Sequence, residues 1–113
     1  MLKIYHNPRC RKSREGLELL ENSDHDFEIV KYLEAVPSRE ELVQILKKLA
    51  LPPIDLVRKN EAIWKEQFKG KDLTDEEIIA AMAAYPKLIE RPIIVQGNRA
   101  VIGRPSERIL DLL

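Results

Sequence analysis

Leu2-Lys3-Ile4-Tyr5-His6-Asn7-Pro8-Arg9-Cys10-Arg11-Lys12-Ser13-Arg14 is the stretch from which the fold follows. Leu2 and Ile4 alternate with Lys3 and Tyr5, the period of a short half-buried strand, and His6-Asn7-Pro8 breaks that period. From about Arg11 to Glu21 the residues are good helix formers, with Leu17 and Leu20 on one face, and Asn22-Ser23-Asp24 stops them. Phe27 to Tyr32 is rich in β-branched and aromatic residues and reads as a second strand. Strand, loop, helix and strand make a βαβ unit with Cys10 at its first joint, and such a unit needs a parallel pair with a right-handed crossover.

Beyond it, Ser38 with Glu41 and Thr74 with Glu77 have the spacing of capping boxes. They open helices whose apolar faces are Leu42, Ile45, Leu46 and Leu49, and then Ile78, Ile79 and Met82. Pro52-Pro53 ends the first, residues 54–68 read as short helical turns, and Pro86 closes a block that is helical throughout. Trp64 and Phe68 read as packing residues that hold this block to the sheet. Ile93-Ile94-Val95 and Ala100-Val101-Ile102 form a hairpin around Gly97-Asn98, and Pro105 suits the first turn of a closing helix with Ile109, Leu112 and Leu113 on its apolar face. The expected fold is α/β and thioredoxin-like: one domain over 1–113, a small mixed sheet flanked by helices, and an all-helical insertion at about 38–86 between strand 2 and the hairpin.

The 113 residues carry 19 Lys and Arg against 19 Asp and Glu, so no overall field favours nucleic acid or a membrane surface. A single cysteine forms no internal disulfide, which points to the cytoplasm. No apolar run approaches the roughly 18 residues of a membrane span.

Cys10 stands where free N–H groups and the positive end of a helix dipole stabilise a thiolate, and Arg9, Arg11, Lys12, Arg14 and His6 lie within four residues of it. The same setting binds oxyanions. The bland alternative, a small buried filler, fits this cationic neighbourhood poorly. Ser13 takes the place of the second cysteine of a C-x-x-C pair, so any thiol that resolves an adduct on Cys10 comes from outside. Its hydroxyl has two readings, a donor to the thiolate or a first-turn residue bonded to backbone. The arginine that phosphatase-type loops place six residues after the nucleophile is here Gly16, so oxyanion-binding arginines must come from elsewhere. Arg58, Arg91 and Arg104 each sit at a joint between elements, and Arg91 precedes a proline at the start of a strand, where thioredoxin-like folds place a cis-proline opposite the reactive cysteine. His25, between Asp24 and Asp26, reads as part of a solvated turn rather than a metal site.

Five blocks, His6 to Arg14, Tyr32-Leu33-Glu34, Leu56 to Glu61, Glu90 to Val95 and Ile102 to Glu107, together resemble the glutaredoxin-coupled arsenate reductase family. The resemblance implies Cys10 as the nucleophile and Arg58, Arg91 and Arg104 as oxyanion ligands. It also implies that His6 helps to depress the thiol pKa; Ser13 and Arg14, close to Cys10 in the sequence, are read from the residues as further thiolate-stabilising groups. The implied reaction is attack of Cys10 on arsenate, reduction by glutathione as co-substrate, and resolution of the glutathione mixed disulfide by glutaredoxin with release of arsenite. No metal, tightly bound cofactor, nucleic acid or membrane partner is implied. Two other readings stay open: a thiol oxidoreductase of the same fold acting on glutathione mixed disulfides or another oxyanion, and a regulator that binds RNA polymerase. Ser13 counts against the second, whose redox sensing uses a C-x-x-C pair.

Overall fold

The computed structural model describes residues 2–113. They form two compact units, one made of the residues up to Ala35 together with Arg91–Leu113, the other of Val36–Glu90.

The first unit holds a four-stranded mixed sheet in the order β2-β1-β3-β4, with β1 Leu2–His6, β2 Phe27–Lys31, β3 Ile93–Gln96 and β4 Arg99–Ile102. β1 pairs parallel with β2, from Leu2 opposite Phe27 to His6 opposite Lys31. It pairs antiparallel with β3, from Leu2 opposite Gln96 to Tyr5 opposite Ile93. β3 and β4 form the hairpin expected around Gly97-Asn98. One expectation fails in β1: Ile4, Tyr5 and His6 are all buried, so its alternation is not that of a half-exposed strand. β1 is paired on both edges, between β2 and β3, and its side chains are covered on both faces. β2, at the sheet edge, leaves Ile29 exposed.

α1, Arg11–Glu21, follows β1 directly and buries Ser13, Gly16 and Leu20. Leu20 joins Leu2, Ile4, Ile94, Ile109 and Leu112 in the core of this unit. Gly16 permits the close approach: a Cβ there would lie 2.8 Å from Pro92 Cγ and 3.3 Å from Ile109 Cδ1. Gly103 is as confined, 3.1 Å from both Pro92 Cγ and Ile94 Cδ1. Pro92 is therefore seated in a slot that two missing side chains create.

The chain closes in a 3₁₀ helix, Ser106–Leu112, with Pro105 as the extended residue before it instead of a member of its first turn. With 3.0 residues per turn, positions three apart eclipse, so Ile109 and Leu112 share the buried face. Leu113, expected on that face from an α-helical period, is 39% exposed.

The second unit contains α2 Arg39–Leu49, a 3₁₀ turn Pro53–Leu56, α3 Ala62–Gln67, α4 Asp75–Ala84 and a 3₁₀ turn Pro86–Leu88. Glu41 N–H donates to Ser38 Oγ at the start of α2, and at α4 both halves of the Thr74–Glu77 capping box form. This unit is not helical throughout. Each 3₁₀ turn opens with a proline and leaves into an extended residue, Val57 or Ile89, and these two pair in an antiparallel bridge. Arg58 N–H donates to Leu88 O at 2.7 Å and Glu90 N–H to Leu56 O at 2.8 Å. Trp64 stacks on Phe68 at 5.5 Å and Phe68 meets Tyr85 edge-on at 6.0 Å, which ties α3 to the end of α4 inside the unit.

Truncating Ile109 to Ala should cost about 2–5 kcal/mol in urea unfolding, since it empties the space between α1 and the hairpin. Leu113→Ala should change stability by no more than about 0.5 kcal/mol. Similar losses at both positions would contradict the 3₁₀ register.

Candidate active site

The loop between β1 and α1 is held by its own hydrogen bonds. Cys10 N–H donates to Asn7 O at 3.0 Å, and Arg9 N–H donates to Asn7 Oδ1 at 3.0 Å. Cys10 is the N-cap of α1, with extended backbone, and its carbonyl accepts the first helical bond from Arg14 N–H at 3.0 Å. The Arg14 side chain is exposed and donates through Nη1 to Pro8 O, which pins the loop from outside rather than touching the sulfur.

Cys10 is half-buried, and burial is the largest influence on its thiol, pushing the pKa up. The Arg91 guanidinium, hydrogen-bonded to the sulfur, opposes this, helped by the Ser13 N–H, the Arg91 charge and the Lys12 N–H. Together these hold the thiol below its ordinary value. The sulfur closes no full capping bond, yet the Ser13 and Lys12 N–H groups lie near enough to favour the thiolate.

Ser13 is fully buried, and its hydroxyl is spent elsewhere: Oγ accepts Asn7 N–H at 3.0 Å and lies 2.7 Å from His6 Nδ1. Burial holds His6 below its ordinary pKa; contact with Ser13 opposes this, and the nearby Lys31 and Arg14 charges add to it. The ring is then neutral at neutral pH, and a Ser13 O–H donating to Nδ1 satisfies all three groups. His6 thus reaches Cys10 through Ser13, whose hydroxyl faces the ring and whose N–H faces the sulfur.

Arg91 is buried and precedes Pro92 at a cis peptide bond; Arg104 precedes Pro105 at another. Ile93 opposes Ile102 at the end of the hairpin, and Gly103 N–H donates to Pro92 O at 2.8 Å just beyond. Arg91 and half-buried Arg104 therefore leave the hairpin from the same end, the end at which β1 runs into the Cys10 loop. Arg58 belongs to the second unit, where its side chain, 15% exposed, lies 3.6 Å from Glu61 Oε1 and 3.5 Å from Glu90 Oε1. His25 is exposed, and among the described residues no group of three or more His, Cys, Asp or Glu is placed to hold a metal ion. No described helix is long and apolar enough to cross a membrane.

Three contributors escape a reading of residue types alone: Asn7, Gly16 and Gly103. A glycine in mid-helix costs about 1 kcal/mol against Ala, and that cost at Gly16 is the one sequence signal of a close approach.

The sequence profile of the ArsC family matches residues 5–112. The chain belongs to the ArsC family. It is 43% identical to the uncharacterized protein YfgD of Escherichia coli K12, over 99% of the chain and 96% of that protein. It is 40% identical to an arsenate reductase of Acidiphilium multivorum, over 99% of the chain and 80% of that protein. The solved structure of an arsenate reductase from Vibrio cholerae superposes with a TM-score of 0.94 at 46% identity, covering 99% of this chain and 97% of that one. The mixed sheet and its flanking helices are thus the thioredoxin-like fold of ArsC proteins.

Two substitutions probe the support of this ArsC-family thiol. Gly16→Ala gains about 1 kcal/mol of helix propensity but pushes the rigid Pro92 ring, an overpacking cost of about 1–3 kcal/mol. It should lower stability and slow alkylation of Cys10 at neutral pH as Arg91 is displaced. Ser13→Ala leaves the buried Asn7 N–H without its acceptor and should cost about 1–3 kcal/mol in urea unfolding. Unchanged alkylation in a folded Gly16→Ala protein would refute the seating of Arg91 through Pro92.

Proposed function

We propose that the protein reduces arsenate to arsenite through Cys10, with glutathione and glutaredoxin as the external thiols. The observation that carries the reading is the Arg91 guanidinium on the Cys10 sulfur, a cation that favours the thiolate and suits an oxyanion beside it. Arg104, leaving the hairpin from the same end, supplies a second cation. The names of the Acidiphilium and Vibrio relatives support arsenate as that oxyanion.

In this reading the thiolate attacks arsenic(V), an As–S bond forms, and one As–O bond breaks with its oxygen leaving as water. The guanidinium groups stabilise the negative charge on the remaining oxygens. Reduction to arsenic(III) takes two electrons, and a chain with one cysteine has no second thiol to give. One thiol of glutathione and one of glutaredoxin supply them and end as a mixed disulfide, while their two protons leave with a second arsenic-bound oxygen as water. Water then cleaves the Cys10–S–As(III) bond, releasing arsenite and the thiolate. The sum is arsenate plus two thiols giving arsenite, one disulfide and water. It suits a cytoplasm in which glutathione is kept reduced.

Oxidation of NADPH through glutathione reductase and glutaredoxin, dependent on added arsenate, tests the proposal. Cys10→Ser should be inactive. Arg91→Ala should lose about 100-fold or more. Turnover by Cys10→Ser would end the proposal. A wild-type protein indifferent to arsenate that reduces glutathione mixed disulfides would assign it to the other thiol chemistry.

A further inference from the structure

Beside the nucleophile lies a groove that the reaction as described does not use. It has a volume of about 250 Å³ and is lined by His6, Asn7, Pro8, Arg9, Lys31, Leu33 and Glu34. Its two walls are the turns that follow the parallel strands β1 and β2, brought side by side because His6 pairs with Lys31. Both turns are fixed by backbone: Cys10 N–H donates to Asn7 O, and the N–H groups of Glu34 and Ala35 donate to Lys31 O at 3.0 and 2.9 Å. The charges on the rim are Arg9, Lys31 and Glu34, all exposed, and none of them is ion-paired with another described residue.

We infer that this groove between the Asn7–Cys10 and Lys31–Ala35 turns is the subsite for the peptide thiol co-substrate, a small zwitterion with two carboxylates and one ammonium. The identity of that ligand as glutathione rests on the function proposed above; the complementarity does not. Two cations and one carboxylate on the rim match two carboxylates and one ammonium on the ligand, with Arg9 and Lys31 taking the former and Glu34 the latter. An extended tripeptide spans about 10 Å, and the groove lining includes Arg9, next to Cys10 in the chain, and Asn7, whose carbonyl accepts Cys10 N–H. Its size suits weak, reversible binding, because pockets that enclose a whole ligand of this size are larger, about 300–1,000 Å³. Leu33 and Pro8 offer apolar contact for the ligand's methylene groups.

The probe is S-methylglutathione, whose blocked sulfur cannot react, titrated into the wild-type protein without arsenate and followed by amide chemical shifts. Saturable shifts at residues 6–9 and 31–34 are expected. The Arg9→Glu, Lys31→Glu double variant should weaken binding about tenfold or more, and so should the dimethyl ester of the probe against the unaltered protein. Absence of saturable shifts, shifts centred elsewhere, or an ester that binds as well as the acid would overturn the inference. The measurement involves no turnover, so its result is separable from that of the arsenate assay. Binding in the groove by a protein that ignores arsenate would sink only the substrate, and arsenate turnover with an empty groove would sink only the subsite.

Discussion

The contact between the Arg91 guanidinium and the Cys10 sulfur is the one on which the site depends. Burial alone would make this thiol a worse acid, and the end of a helix offers only about 0.3–1 kcal/mol to a neighbouring anion. A hydrogen bond to a charged group is worth about 1.5–3 kcal/mol. Most of the compensation therefore comes from Arg91, and anything that moves this residue makes Cys10 an ordinary buried thiol. The neighbouring cations Arg9, Arg11 and Lys12 are exposed, and Arg11 and Lys12 are engaged with Glu15. Water screens such groups, so they add local potential more than they fix the ionisation.

Arg91 is held in place by apolar packing. Pro92 fills the slot left by Gly16 and Gly103, its carbonyl is tied to Gly103 N–H, and the core of Leu20, Ile94 and Ile109 closes beneath. Asn7, Ser13 and His6 form a buried polar network that sets the turn into α1. The Cys10 sulfur is thus served by an apolar joint that positions a cation and a polar joint that aims N–H groups. The helix N-terminus lowers the thiol pKa here because the sheet delivers a counter-charge to it.

The βαβ unit, the capped helices and the hairpin are legible in the sequence because each rests on a short-range period, a capping pair or a turn dipeptide, as Leu2 with Ile4, Ser38 with Glu41 and Gly97-Asn98 show. Cys10 and Arg91 are legible as candidates from residue type and position at element joints. Their contact is not legible, since it depends on long-range register, Tyr5 opposite Ile93 and Pro92 against Gly16. The hydroxyl of Ser13 has two sequence readings because nothing local says whether it faces the sulfur or the loop, and burial beside His6 decides it. A spacing of three followed by one at Ile109, Leu112 and Leu113 fits an α-helical face, and the tighter turn shows only in the fold, where Ile109 and Leu112 are buried and Leu113 is exposed.

The most direct test of this account is the ultraviolet absorbance of the Cys10 thiolate as a function of pH, in the wild-type protein and in Arg91→Ala. A lowered pKa means that the wild-type sulfur ionises below the ordinary thiol value, so its thiolate signal rises at lower pH than that of a free thiol. Without the guanidinium, burial should carry the midpoint upward. A wild-type midpoint at or above the usual range, or one that Arg91→Ala leaves in place, would contradict the central claim.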